Sequence, residues 1–485
     1  MPPRFKELYK PTPSGRDVRQ RRLSHEAQLR RFQREQVFMG KRLRLRQSQE
    51  SETESEYEFS PSDTTSVCRG LKSPKREVRI AALATLGTKL EQPSEELRRF
   101  VLEGECVDAL IGFLGTTDAS EKLQSLWCLT NIAAGEVAMA EKALPAVPYL
   151  LELISSDDVE LQNQAIWAIG NLAAEGETGR ERLFANGVLQ PLVDVLSDTR
   201  DSMVLQTACF ALSNMARRPN SYFDRAFELE VPQKVAQRLV QFSGDSACVA
   251  ELAWVCAYLT ASSSEQQLDQ LLRTGAIDSL LQHALGAPET EFATLIPVTR
   301  TLGNVAAGTD AQTHALVSKD GFLDLIIRGI EITSSRALEK ESLWVLSSVT
   351  AGRKEDVDAV VAAGAVARLV SIVEKRNFDI KKEAAFSLLN IAIVGQRIAD
   401  LPNEQLVAEF VEFIRSQDEE LVRMGIQYIA LLFEHLPDRC GVQLLKGVAG
   451  GIDALENQMV ATESDDARAL VSALVDDYYN DETPN

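Results

Sequence analysis

The sequence predicts an all-α solenoid of about eight to ten stacked repeats preceded by a basic helical arm. Three observations carry this. Seven segments align without gaps on an aromatic or Arg position: Trp127, Trp167, Phe210, Trp254, Arg300, Trp344 and Phe386. The residue four places on is Asn131, Asn171, Asn214, Tyr258, Asn304, Ser348 or Asn390, so the spacing recurs as well as the residue. Successive intervals of 40, 43, 44, 46, 44 and 42 residues, in units that read as helix throughout, are the mark of armadillo- or HEAT-type repeats.

The elements follow in order. Residues 16–46 are free of Pro, rich in Arg, Gln, Glu and Leu, and strong in helix propensity. Their apolar residues are too sparse to bury a face, which predicts a solvated helix or one that folds on a partner. The Ser/Glu-rich stretch 47–66 has no periodic apolar face and reads as linker; the expected boundaries are arm 1–49, linker 50–70, repeats 71–455 and an acidic C-terminal segment 456–485. Within the repeats, Asn186-Gly187, Thr274-Gly275 and Ala363-Gly364 fall where short turns are needed. More divergent units precede Trp127, from about Val78, and follow Asn390, to about Leu455. Each repeat buries its apolar face only against its neighbours, so the terminal units should act as caps of one right-handed superhelix.

Charge divides the chain. The net charge of the 485 residues is -20, yet residues 1–46 hold 14 Lys/Arg against 4 Asp/Glu, and the remainder 37 against 67. An acidic body argues against general nucleic-acid binding, which needs cations to displace phosphate counterions. Seven scattered cysteines without a C-x-x-C pair fit reduced thiols of the cytosol or nucleus. No secretory h-region and no uninterrupted apolar run of 18 residues occurs, so no membrane role is expected. Four histidines (25, 283, 314, 435) without metal-ligand spacing, and no phosphate-binding or nucleophile-elbow motif, argue against an enzyme and against a cofactor.

With the aromatic as position zero, positions -1, +2 and +5 form an apolar stripe: Leu126/Leu129/Ile132, Ile166/Ile169/Leu172, Cys209/Leu212/Met215 and Leu343/Leu346/Val349. Positions -3, zero and +4 lie on the opposite side, and all four tryptophans are there. Burying that polar-flanked face as well would strand amides and carboxylates. The alternative, aromatics as core with Asn linking repeats, is ordinary for one such helix and less fitting for consecutive ones. The stripe is therefore expected to be an exposed ladder of indoles and amides suited to an extended cationic peptide. Amides bind a peptide backbone without reading its sequence, and aromatic faces attract Lys and Arg. Glu175, Glu251 and Glu383 flank the ladder. A scaffold for acidic partners, as in β-catenin-like proteins, would need a basic groove instead.

The segments QAIWAIGNLAAEG, ALSNMARRPN, RTLGNVAAGTDAQT, LWVLSSVTAGR and KKEAAFSLLNIA resemble, in order, the armadillo repeats of importin-α, the nuclear-import adaptor. The resemblance covers nearly the whole chain, with GGIDALENQ and the acidic end similar to that family's final repeat and tail. It implies a major signal-binding site at Trp127, Asn131, Gln164, Trp167, Asn171, Glu175, Phe210, Asn214, Arg217, Glu251 and Trp254. It implies a minor one at Arg300, Asn304, Trp344, Ser348, Glu383, Phe386 and Asn390. Residues 16–46, with Arg16, Arg19, Arg21, Arg22, Arg30, Arg31, Arg34, Lys41 and Arg42, resemble the arm that binds an importin-β carrier. The implied partners are basic nuclear localisation signals, that carrier, and an export receptor with Ran-GTP, in a protein shuttling between cytoplasm and nucleus. Phe210 and Phe386 stand where the family has Trp, Ser348 where it has Asn, and Glu175 where it favours Asp. Leucines dilute the basic cluster Lys41–Arg46. Those departures also fit a divergent relative, of the transmembrane and coiled-coil domain protein six type, acting as an interaction scaffold without general cargo import.

Overall fold

A computed structural model describes residues 59–480 apart from 92, 218–220, 395, 402 and 462–464. All regular structure among them is helical. They form two compact units that divide between His283 and Ala284.

The N-terminal unit is built of three-helix repeats, each of two shorter helices followed by a long one. Glu177–Ala185, Leu189–Asp198 and Ser202–Met215 make one such repeat, and Val137–Ala143, Val147–Ile154 and Val159–Glu175 the one before it. The long helices Ala119–Ala133, Val159–Glu175, Ser202–Met215 and Ser246–Ser262 pack on one another in order. In the C-terminal unit Phe292–Ala306, Arg336–Thr350 and Phe378–Ile393 do the same.

Local chemistry explains where these helices start. An Asp stands nine residues before each aromatic of the N-terminal unit: Asp118, Asp158, Asp201 and Asp245. Each carboxylate accepts hydrogen bonds from the second and third backbone N–H groups of its helix; Asp158 takes those of Glu160 and Leu161 at 3.0 and 3.2 Å. This satisfies orphan donors and places a negative charge at the positive end of the helix dipole. The turns before the second helices of three repeats need a left-handed residue, and Gly187, Gly275 and Gly364 supply it at φ +77°, +80° and +78°.

The stripe at -1, +2 and +5 is the core. Leu126, Ile132, Ile166, Ile169, Leu212, Met215, Leu343 and Val349 are completely buried. Polar links then tie one repeat to the next. Arg238 donates to the carbonyls of Leu196 and Ser197 at the end of the preceding repeat's second helix, and Arg328 does the same to Ala284 and Leu285. Helix-terminal carbonyls have no partner within their own helix, so a cation there satisfies them.

One expected boundary is corrected. The stretch 50–70 was expected to be linker throughout, but Pro61–Leu71 is a helix. Ser60 caps it in a reciprocal box with Asp63, Pro61 fills the first turn, and the buried Phe59 stacks 6.3 Å from Phe100. The acidic C-terminal segment is helical over Asp465–Asn480, because Val471, Leu474 and Val475 bury an apolar face against Gly451–Ala461.

Candidate functional site: two rows of aromatics on stacked helices

The long helices of the N-terminal unit bring Trp127, Trp167, Phe210 and Trp254 into one row. Each ring is half-buried, whereas the stripe behind it is fully enclosed. The Phe210 ring leans on the preceding repeat: it lies over Gly170, where a Cβ would sit 2.5 Å from Cε1. Tyr258 takes the amide position in the fourth helix and stacks on Trp254 at 5.8 Å.

The amides differ from expectation. Asn131, Asn171 and Asn214 are only 7–8 % exposed. Each donates from Nδ2 to a backbone carbonyl one repeat back: Asn131 to Gly87 at 3.1 Å, Asn171 to Thr130 at 3.1 Å, and Asn214 to Gly170 at 3.2 Å. The carbonyl can only accept, which fixes the amide's orientation. An Asn amide has two N–H donors and an acceptor oxygen, and one donor is committed to holding repeats together. The exposed amide ladder is therefore a row of buried links. Linking repeats is part of what these residues do, and sequence reasoning had set that role aside.

The flanking residues are also tied in. Gln164 Nε2 donates to Thr130 Oγ1 at 2.8 Å, and Arg217 Nη1 to the Ala174 carbonyl at 3.0 Å. Glu251 is half-buried on the Trp254 helix. Glu175 and Glu141 line a small cleft whose other walls are Val137, Ala140, Leu144, Leu172, Gly176, Thr178 and Gly179. Such a cleft, largely apolar with two carboxylates at its wall, can hold an alkyl stem and its cationic head.

The C-terminal unit carries the second row, and it is built differently. Arg300 is only 2 % exposed and is no groove surface: its Nη2 meets Glu341 Oε1 at 2.5 Å in a buried ion pair. The resemblance to importin-α puts Arg300, in place of an aromatic, at the minor groove. Its partner, 41 residues on, makes it a bridge between stacked helices. Asn304 is buried as well. Ser348 Oγ donates to the Trp344 carbonyl of its own helix at 3.0 Å, whereas Asn390 Nδ2 reaches back to the Ser347 carbonyl at 3.1 Å. Trp344, Phe386 and Glu383 are half-buried on this face.

The arm residues Arg16, Arg19, Arg21, Arg22, Arg30, Arg31, Arg34, Lys41 and Arg42 lie outside the described residues. Among the described residues no group of His, Cys, Asp and Glu could hold a metal ion, and no helix is long and apolar enough to cross a membrane.

Stacked three-helix repeats with an aromatic and an amide one turn apart recurring on the long helices define an armadillo-repeat protein. Residues 142–174 match the armadillo/β-catenin-like repeat family model, and 159–215 the HEAT-like repeat model. An engineered protein of known crystal structure superposes with a TM-score of 0.74 at 22 % identity, over 87 % of this chain and 100 % of that one. The sequence is 32 % identical over 437 residues to importin subunit alpha-9 of Arabidopsis thaliana, covering 84 % of this chain and 80 % of that protein. It is 29 % identical over 424 residues to importin subunit alpha-2 of Oryza sativa subsp. japonica, covering 83 % and 79 %. The chain belongs to the importin-α family, and so is a non-enzymatic adaptor.

Proposed function

We propose that this chain binds Lys/Arg-rich nuclear localisation signals along the first row, with Trp127, Trp167, Phe210 and Trp254 forming the slots. The observation that carries the reading is the half-buried row itself: four aromatics on consecutive stacked helices, each backed by a complete core and therefore not needed to fill it. Packed helices lie about 8–10 Å apart, while alternate side chains of an extended peptide repeat at about 6.6 Å. On the closer-set concave wall of a solenoid those repeats approach one another, and alternate residues enter successive slots. Each cation over an aromatic face contributes roughly 0.5–2 kcal/mol, and Glu175 and Glu251 complement the charge. The second donor and the Oδ1 of Asn131, Asn171 and Asn214 are the groups left for a peptide backbone.

Residues 16–46 link the cargo complex to an importin-β-type carrier, their 11 Lys/Arg against 3 Asp/Glu suiting an acidic surface. Release by Ran-GTP and return by an export receptor complete a cycle between cytoplasm and nucleus.

Fluorescence anisotropy of the full chain with a labelled Lys-rich signal peptide tests the first part. Trp127→Ala/Trp167→Ala should weaken binding at least tenfold, and unchanged affinity sinks the reading. Arg30→Glu/Arg31→Glu in the full chain should abolish co-purification with importin-β and leave the fold intact. Retention by the variant would remove the arm from the mechanism.

A further inference from the structure

Two serines among the described residues precede a proline, Ser60 and Ser73, and they are placed differently. Ser60 caps helix Pro61–Leu71. Its Oγ donates to Asp63 Oδ2 at 2.7 Å, Pro61 is already in the first turn, and a phosphate there would face a carboxylate. Ser73 lies outside regular structure, between Pro61–Leu71 and Arg76–Lys89. It is half-buried and lines an open groove with Ser66, Arg69, Lys72, Pro74 and Val78, and its neighbours Lys72, Pro74, Lys75 and Arg76 are exposed. Its Oγ accepts the Lys75 N–H at 3.2 Å, which leaves the hydroxyl proton available for transfer.

The run Ser73-Pro74-Lys75-Arg76 presents three features that a proline-directed kinase reads: a hydroxyl, a ring without an N–H directly after it, and a cation three residues on. A cleft that is apolar at the second position takes proline without stranding a backbone donor, and so prefers it.

Five cations surround this turn: Arg69, Lys72, Lys75, Arg76 and Arg79. Lys72, Arg76 and Arg79 pair with Glu105, Asp118 and Glu121, so their charge is largely answered. Arg69 and Lys75 are exposed, and neither forms an ion pair among the described residues. Arg79 Nη1 also donates to the Ser73 carbonyl at 2.9 Å, so a guanidinium already touches the residue. Glu77 is the acidic residue of the following helix's first turn, and Lys75 holds the N-cap without a side-chain bond, where the next four long helices have Asp. Phosphate on Ser73 Oγ would bring about -1.5 to -2 charge and three acceptor oxygens to this surplus of cations. Helix Arg76–Lys89 is also the surface on which the Trp127 helix stacks: Gly87 accepts the Asn131 amide at 3.1 Å, and Leu83 the Cys128 thiol at 3.3 Å.

We infer that Ser73 is the phosphoacceptor of a proline-directed serine kinase, and that Arg69, Lys75 and Arg79 then hold the phosphate and tighten the helix behind the first slot. In the transfer, Ser73 Oγ bonds to the γ-phosphorus of ATP as the bond from that phosphorus to the β,γ-bridging oxygen breaks. ADP leaves, and the hydroxyl proton passes to the catalytic carboxylate of the kinase.

The test incubates the full chain with Mg²⁺-ATP and a purified proline-directed serine kinase of the cyclin-dependent class, and locates phosphate by mass spectrometry. Ser73 should be modified. Pro74→Ala should slow that modification about tenfold, since the new N–H finds no acceptor in the kinase cleft. Hydrogen exchange of the phosphorylated and unmodified chains tests the clamp. Amides of Arg76–Lys89 should exchange roughly three- to tenfold more slowly with phosphate on Ser73. Arg69→Gln/Lys75→Gln, which keeps Arg76 for the kinase, should remove that difference. A chain that takes no phosphate, or takes it at Thr12, Ser60 or Thr483 with Ser73 untouched, overturns the inference. Phosphate on Ser73 with exchange of this helix unchanged or faster overturns the clamp.

Discussion

Gly170 and Phe210 sit in direct contact across two adjacent repeats, the ring filling the space that any larger residue at 170 would need: Cε1 and Cδ1 lie 2.5 and 2.6 Å from where a Cβ would be. The Gly170 carbonyl also accepts the Asn214 amide at 3.2 Å. One glycine thus sets both the seat of an aromatic and the anchor of an amide.

Gly170→Ala should therefore disturb the row without touching a cargo-contacting side chain. Overpacking of this kind costs about 1–3 kcal/mol. Thermal unfolding should show a lower midpoint, and the same variant should bind a basic peptide more weakly because the Phe210 ring is displaced. A stable variant with unchanged affinity would show that the ring moves aside freely.

The buried links predict a stability cost at positions assigned to cargo binding. Asn171→Ala leaves the Thr130 carbonyl without its side-chain donor, and a lost buried hydrogen bond costs roughly 1–3 kcal/mol. Asn171→Asp should be worse, since a carboxylate facing a carbonyl can only repel it. Urea unfolding of both variants without peptide separates this cost from any effect on binding.

The Arg300–Glu341 pair should behave as a buried bridge. Removing either partner leaves an uncompensated buried charge at about 3–5 kcal/mol, whereas the paired replacement Arg300→Met/Glu341→Leu should be close to neutral. A double-mutant cycle read by urea midpoint checks both, and additive single effects would contradict the coupling.

Acid should weaken the start of the Trp127 helix. Hydrogen bonding from Arg76, helped by the N–H groups of its own helix, lowers the Asp118 carboxyl to about 2. A group depressed on folding stabilises above its unfolded value of about 3.9 and loses that contribution as pH falls through about 2. The difference in unfolding midpoint between the unaltered chain and Asp118→Asn should thus be constant above about pH 5 and shrink toward pH 2.

Thiol reactivity should be confined to two positions. Burial pushes Cys106, Cys248 and Cys256 up to about 12, and Cys128 and Cys209 well above the usual thiol range, so all five stay neutral and enclosed. Alkylation of the native protein followed by mass spectrometry should label the exposed Cys440 and the half-buried Cys68 first. Rapid labelling of Cys209 would mean that its helix opens.

The repeat, the helix type and the two stripes were legible because each depends on short-range periodicity. Trp127, Leu129 and Asn131 can be sorted into faces from their spacing alone. The aspartates nine residues before each aromatic of the N-terminal unit were equally visible and recur as regularly, but a cap is recognised only when the helix start is sought. What could not be read was partnership across repeats. The Asn171 carbonyl acceptor is 41 residues upstream and is main chain, so no residue type announces it. The Arg300 alignment with aromatics concealed a bridge to Glu341 because a period identifies position, not neighbour. Pro61–Leu71 was missed because a Ser-rich composition outweighed a capping box that was present in the letters.

The amide links also give the stack a polarity. Asn131, Asn171, Asn214 and Asn390 all reach backward, toward the N-terminus. Trimming repeats from the C-terminal end removes donors and leaves bare backbone carbonyls on the last repeat that remains. Trimming from the N-terminal end strands an amide on the first repeat that remains, so the two ends are not interchangeable as places to shorten the chain.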